Sequence, residues 1–451
     1  MKRLILILVT LMASNAWAQN GPWVITTDFS TFGRVEHFAA ATPWAASGEL
    51  AVIPGDAVGR LHDGLVYIVG RGGSNLIRIH DPADGFALVR EFSIGAGRNP
   101  QDIAFDAQGR AFVSCYDEAV LLEVDTELGT VVQVFDTSAF ADTDGLPETA
   151  WLRIDGDRLY VTSQKLDRGN WYIASGPGQL LVMDLSTLQW LPPLQLAGTN
   201  PYTEIQRDDQ GRLVVGCVGA WAALDGGIEA IDPVTGLSDG FLFTEAELGG
   251  DILNVELCGD RMHVLTSDPA FATRISRLDP VAGTVTPIVT TAGYDLSDLS
   301  WDGAFQLYVA DRQVSAPGIR VFDAVSGAEL TTGSVATGLP PFQFIPAARA
   351  PSPVPGLLAA GLTLGAPWPN PCNPAASLAI TGDPGQQVSV SVFDLRGRRV
   401  LRQSLQIDGS GLAHFSFDGR HTNGSALPAG VYRVVAQSRS GFAARSLTLV
   451  K

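Results

Sequence analysis

The sequence predicts an all-β chain, a seven-bladed β-propeller followed by a small immunoglobulin-like β-sandwich. Three observations lead there. A strand-turn-strand unit recurs with turn glycines about 44 to 55 residues apart, the length of a four-stranded blade. A second marker, a strand ending in an acidic turn, follows each copy in phase. After a Pro-rich stretch the pattern changes to short, strictly alternating strands.

The amino terminus comes first. Lys2 and Arg3 precede an apolar run from Leu4 to Met12, and Ala16-Trp17-Ala18 has the small-x-small form of a cleavage site, so residues 1–18 are expected to be a secretory signal peptide. The apolar run is too short for the roughly twenty residues that span a bilayer. No later stretch is long and apolar enough either, and the mature chain is expected to be soluble.

The repeat then organises residues 22–347. Turns containing Gly64, Gly109, Gly156, Gly211, Gly259 and Gly303 each lead into an apolar strand such as Leu65 to Val69 or Leu159 to Thr162. The following strands end in Asp81, Asp125, Asp184, Asp232, Asp279 and Asp323. The last three open the turns Asp-Pro-Val-Thr-Gly, Asp-Pro-Val-Ala-Gly and Asp-Ala-Val-Ser-Gly, where Asp caps the turn and Gly supplies positive φ. Six copies are complete. Trp23 to Asp28 and Gly33 to Phe38 from one end, with Leu339 to Ile345 from the other, are expected to form a composite seventh blade that closes the ring; six and eight blades are the alternative counts. This repeat resembles the broad family of seven-bladed propellers with NHL- or YVTN-like repeats.

Residues 348–365 are rich in Pro, Ala and Gly and read as an extended linker. Residues 366–451 carry about seven short strands, among them Val388 to Phe393 and Val431 to Ala436, the pattern of an immunoglobulin-like sandwich. Four motifs occur here: Pro369 to Pro374, Val392 to Val400, Leu427 to Tyr432, and the ending Arg445 to Lys451. In that order they resemble the C-terminal sorting domain of type IX secretion, and the pattern is similar to the Ig-like domain of flagellar hook-capping proteins. The resemblance implies passage across the outer membrane through the secretion machinery, a secreted or cell-surface location, and a sorting motif including Gly430, Tyr432 and Lys451. Cys372 departs from the Phe usual in that family. An Ig-like module without an export role is the other reading.

Composition narrows the partners. The formal net charge is −17, and the segment from Ala366 onward carries nine basic against four acidic residues, so the body alone is more acidic still. Such a body repels phosphate backbones and argues against nucleic acid. The four cysteines lie far apart without a C-x-x-C pair, so no disulfide scaffold is expected.

No H-E-x-x-H, G-x-S-x-G or P-loop motif is present, and the six histidines are scattered. The leading residues of the innermost strands are expected to crowd one mouth of the axial channel. They include Asp102, Glu148, Glu204, Asp251 and Asp298, hard oxygen ligands of the kind that hold Ca²⁺; the alternative is that they cap strand-entry turns. Trp171, Tyr172 and Trp221 lie in long insertions and are candidates to stack on a sugar or peptide, or else to pack between blades. The functional expectation is a non-catalytic module binding extracellular protein or polysaccharide. An extracellular propeller lyase or hydrolase using the acidic mouth is the competing reading, and a structural envelope component a third.

Overall fold

The computed structural model describes residues 21–258, 261–345, 362–365, 367–382, 384–393, 399–421, 424–438 and 441–450. The signal peptide, the Gly259 turn, most of the linker, Asp394 to Arg398 and Lys451 therefore lie outside the described residues. The chain divides into two compact units near residue 348.

The first unit contains seven four-stranded antiparallel sheets. Blade 1 joins Trp23–Thr27, Phe32–His37 and Ala51–Pro54 to Pro341–Ile345 from the far end of the unit. In it Trp23 stands opposite Ile345 and Val24 opposite Phe344. Blades 2 to 7 follow in chain order, with innermost strands Ala57–His62, Pro100–Phe105, Thr149–Asp155, Gln206–Arg207, Asp251–Cys258 and Leu296–Trp301.

Why the sheets form a ring follows from what their faces bury. The second strand of each blade is almost wholly buried, and in Leu65–Gly70 and Leu213–Cys217 nearly all apolar, because both faces are covered by neighbouring blades. Seven apolar clusters result, one for each pair of adjacent sheets. Blade 1 meets blade 2 through Ile25, Ile345 and Ile68, and meets blade 7 through Val24, Phe344 and Tyr308. Seven sheets with seven interfaces leave no open end. The fold is a seven-bladed β-propeller.

The acidic turns act as the sequence suggests. Asp232, Asp279 and Asp323 each accept N–H bonds from the residues two and three further on, while Gly236, Gly283 and Gly327 take positive φ.

The second unit is a sandwich. Thr363–Leu364, Ala376–Thr381 and Leu412–Phe417 form one sheet; Arg399–Gln406, Gln387–Phe393, Gly430–Ser438 and Gly441–Leu449 form the other. Alternation places Val388, Val390 and Val392 inward against Leu378, Phe415 and Val434. Cys372 is fully buried in this core, so the small thiol occupies an apolar site. Tyr432 is buried and its hydroxyl donates to the Pro428 carbonyl at 2.6 Å, which ties the strand to the turn before it. Gly430 begins that strand.

Candidate functional site

A cavity of about 290 Å³ lies in the propeller where the innermost strands begin, and all seven blades line it. Its walls owe their composition to irregular strand starts. Pairing slips between Pro100 and Ile103, Thr149 and Leu152, Ile252 and Asn254, and Leu296 and Asp298. A bulge re-aims the residues within it. Gln101, Trp151, Leu253 and Ser297 accordingly face the cavity. In blade 5 the strand is interrupted outright: the N–H groups of Tyr202 and Thr203 both reach Gly216 O, and the Thr203 hydroxyl accepts the Gly216 N–H. That break presents Tyr202, Thr203 and Glu204 to the cavity.

Five aromatic side chains stand in the wall. Tyr116, Trp151, Tyr202, Tyr294 and Phe342 line it, interleaved with Gln101, Gln164, Asn254 and Ser297. Trp151 is locked by a 2.6 Å bond from its indole N–H to the Tyr202 carbonyl, which also joins blade 4 to blade 5. Burial pushes the Tyr202 phenol up to about 12 and raises Tyr294 as well, so both hydroxyls remain neutral donors at physiological pH.

Beneath this wall Arg60 bridges the ring. Its guanidinium grips Asp102 with two bonds of 2.8 and 3.1 Å, reaches Glu204 at 2.9 Å, and lies 5.3 Å from the centre of the Trp151 ring. One side chain from blade 2 thus ties blades 3, 4 and 5. Desolvation opposes the charge on Arg60, but Asp102 and Glu204 outweigh it and hold the guanidinium well above its ordinary range. Burial pushes the Asp102 carboxyl up, and Arg60 opposes that shift.

The five carboxylates expected at the mouth do not converge. Among the described residues no three of His, Cys, Asp or Glu come together as a metal site. The physical reason is that each already has work within the ring. Asp102 accepts the Leu152 N–H of blade 4 and Asp298 the Phe344 N–H of blade 1, at 3.0 and 2.7 Å. Gln343 does the same for Gly59 of blade 2 at 3.0 Å. These are latches between consecutive innermost strands. Glu148 accepts the Leu166 N–H and pairs with Arg168, and burial raises its carboxyl to about 7. Asp251 accepts the Ala222 N–H. Glu148 and Asp251 do not line the cavity, whereas Glu204 and Asp298 do. Burial pushes the Asp298 carboxyl up to about 8, with the charge of Glu204 adding to the shift and the Phe344 N–H opposing it.

The three expected aromatic contacts are also parted. Trp221 stands at the rim, its ring edge-on to Tyr202 at 5.2 Å. Tyr172 reaches the site only through Arg168, which lies between it and Tyr116 at 6.0 and 5.1 Å. Trp171 is 91% exposed and does not line the cavity. Sequence reasoning passed over Arg60, Trp151, Tyr294, Arg312 and Phe342. Arg312 and Tyr116 directly follow the second strands of their blades, a fixed position in the repeat that would have marked both.

A β-propeller with an aromatic axial cup, joined to an Ig-like sandwich, is the class these features define. Residues 375–441 match the FlgD Ig-like domain. No curated protein matches the chain. Among solved structures, the periplasmic gluconolactonase PpgL of Pseudomonas aeruginosa aligns with 72% of this chain and 98% of its own, at 15% identity and a TM-score of 0.51. PorZ, a surface component of the type-IX secretion system of Porphyromonas gingivalis, aligns with 94% of this chain at 14% identity and a TM-score of 0.43, and the alignment spans 64% of PorZ. A putative 6-phosphogluconolactonase of Bacteroides fragilis aligns with 72% of this chain and 97% of its own, at 13% identity and a TM-score of 0.49. At 15% identity the likeness to PpgL speaks for the fold alone. Among the described residues no helix is long and apolar enough to cross a membrane.

Proposed function

We propose that the chain is an exported, non-catalytic binding propeller whose axial cup takes a saccharide unit. The observation that carries this reading is the lining itself: five aromatic side chains alternating with amides and hydroxyls around about 290 Å³. Aromatic faces cover the apolar faces of a sugar ring, and the amides satisfy its hydroxyls. The volume sits at the lower edge of small-molecule sites, roughly 300 to 1,000 Å³, and suits one ring at a chain end better than a continuous strand.

Calorimetric titration of an oligosaccharide panel, neutral and acidic, tests the proposal. Tyr202→Ala removes a ring from the wall and the support of Trp221, and is expected to weaken binding about tenfold or more without moving the thermal melt by more than a few degrees. Unchanged affinity would place the ligand elsewhere. A hydrolase reading is favoured by one feature, two carboxyls on the cavity wall in unlike environments: Asp298, pushed up by burial, and Glu204, ion-paired with Arg60. Product analysis during the same titrations decides it: turnover that Glu204→Gln abolishes would replace binding by catalysis.

For the second unit we propose the sorting role, supported by its motif order and by the strand that Gly430 opens and Tyr432 anchors. It would send the protein through the outer membrane to the surface or medium. Removing residues 431–451 is expected to retain the chain inside the outer membrane of a host with the type IX machinery. Release at the full-length rate would end the idea.

A further inference from the structure

We infer that the cup selects a saccharide bearing a carboxylate, a uronic acid unit, and that Arg312 receives that carboxylate. This rests on the saccharide-binding reading and gives it a ligand class.

Arg312 lines the cavity. It follows the second strand of blade 7, Gln306–Asp311, and its Nε donates to the Tyr294 carbonyl at 3.0 Å. Its guanidinium carbon lies 4.4 Å from the centre of the Tyr294 ring and 5.2 Å from that of Phe29. Backbone and aromatic contacts thus fix its position. The other arginines near the cup are neutralised: Arg60 by Asp102 and Glu204, Arg71 by Asp56, and Arg168 by Asp117 and Glu148. Arg312 forms no ion pair with any carboxylate among the described residues, and Asp295 acts on it only from beyond that range. A partly desolvated cation held this way is costly unless an anion completes it.

The polarity of the cup orients the ligand. Glu204, held by Arg60 from beneath, lines the cavity with its side chain 40% exposed, so that side accepts hydroxyl hydrogens. Arg312 supplies a planar fork on the blade 7 side, suited to a single carboxylate through two parallel N–H bonds. A phosphate dianion would bring more charge than this one arginine neutralises, into a cavity that Glu204 also lines. In a chain of net charge −17 there is no general attraction for anions, so selection has to be local.

The test compares trigalacturonate, its full methyl ester and galactose 6-phosphate by calorimetry at fixed ionic strength. The acid is expected to bind at least ten times more tightly than the ester, and more tightly than the phosphate. Arg312→Gln should lower the affinity for the acid far more than that for the ester and so collapse the ratio between them, while Arg312→Lys keeps part of the preference. Equal binding of acid and ester by the native protein, a ratio untouched by Arg312→Gln, or a preference for the phosphate would each overturn the inference and leave the saccharide reading standing. If neither oligosaccharide nor any other sugar binds the folded protein, both fall. The ratio measured on the native chain stands even if a variant folds poorly.

Discussion

A chain beginning at Gly48 is expected to aggregate, or to melt far below one beginning at Gly21. The deletion takes Trp23–Thr27 and Phe32–His37, half of blade 1, and leaves Pro341–Ile345 without its partner strand. Trp23, Val24, Ile25, Val35 and Phe38 are all buried, and they belong to the two clusters that join blade 1 to both of its neighbours. Burying a large apolar side chain contributes about 1.5 to 3 kcal/mol. Five of them approach the roughly 5 to 15 kcal/mol that holds a typical domain folded. The exposed strand edges would then pair between molecules. A chain ending at Ala350 keeps every blade and should melt with native cooperativity. Thermal melts and light scattering on the two truncations, with a peptide of residues 21–47 added back to the first, make the measurement. A monomeric, native-like melt without residues 21–47 would mean that the ring does not need its composite blade.

Why the ring was legible in the sequence is clear from such residues. Leu65 to Gly70, and its counterparts, are apolar at consecutive positions because both faces are covered, while the turns before them and those that end the next strands need Gly and Asp for local reasons alone. Neither signal depends on distant contacts. Even the joining of Trp23 to Ile345 followed from counting an incomplete blade at each end.

The cup was legible only in outline. Aligning strand starts located the mouth, but Asp102 and Asp298 carry the same residue type whether they bind a metal or cap the next strand. Only the position of the Leu152 and Phe344 amides separates the two roles. Trp151 and Ser297 face the cavity because of one-residue slips in pairing, which a period-two pattern does not encode. Arg60 carries no local signal. Its partners stand 42 and 144 residues away and meet it only across the ring.

Arg60 therefore makes the sharpest test of how the site is held. Arg60→Met fills the volume without the charge and leaves Asp102, whose side chain is 0% exposed, with no counter-ion. Breaking such a pair from one side costs about 3 to 5 kcal/mol, because the orphaned carboxylate cannot regain its water. The cost has a definite pH dependence. Burial already holds the folded-state pKa of Asp102 above its unfolded value near 3.9, and without Arg60 to oppose that shift it rises further, so the folded variant keeps the extra proton to higher pH than the native protein does. Protonated, Asp102 is only a neutral hydrogen-bonding group; the loss relative to the native protein should be small below about pH 4 and deepen as pH rises toward neutrality. Asp102→Asn added to Arg60→Met removes the orphaned charge, and its amide oxygen can still accept the Leu152 N–H. That pair of substitutions should recover most of the loss and flatten its pH dependence. Urea unfolding of the native chain, the single variant and the double variant at pH 4 and pH 8 decides the matter. If Arg60→Met unfolds at the native midpoint at pH 8, or the second substitution restores nothing there, Asp102 does not depend on Arg60 and the bridge under the cup is not what holds blades 2, 3 and 5 together.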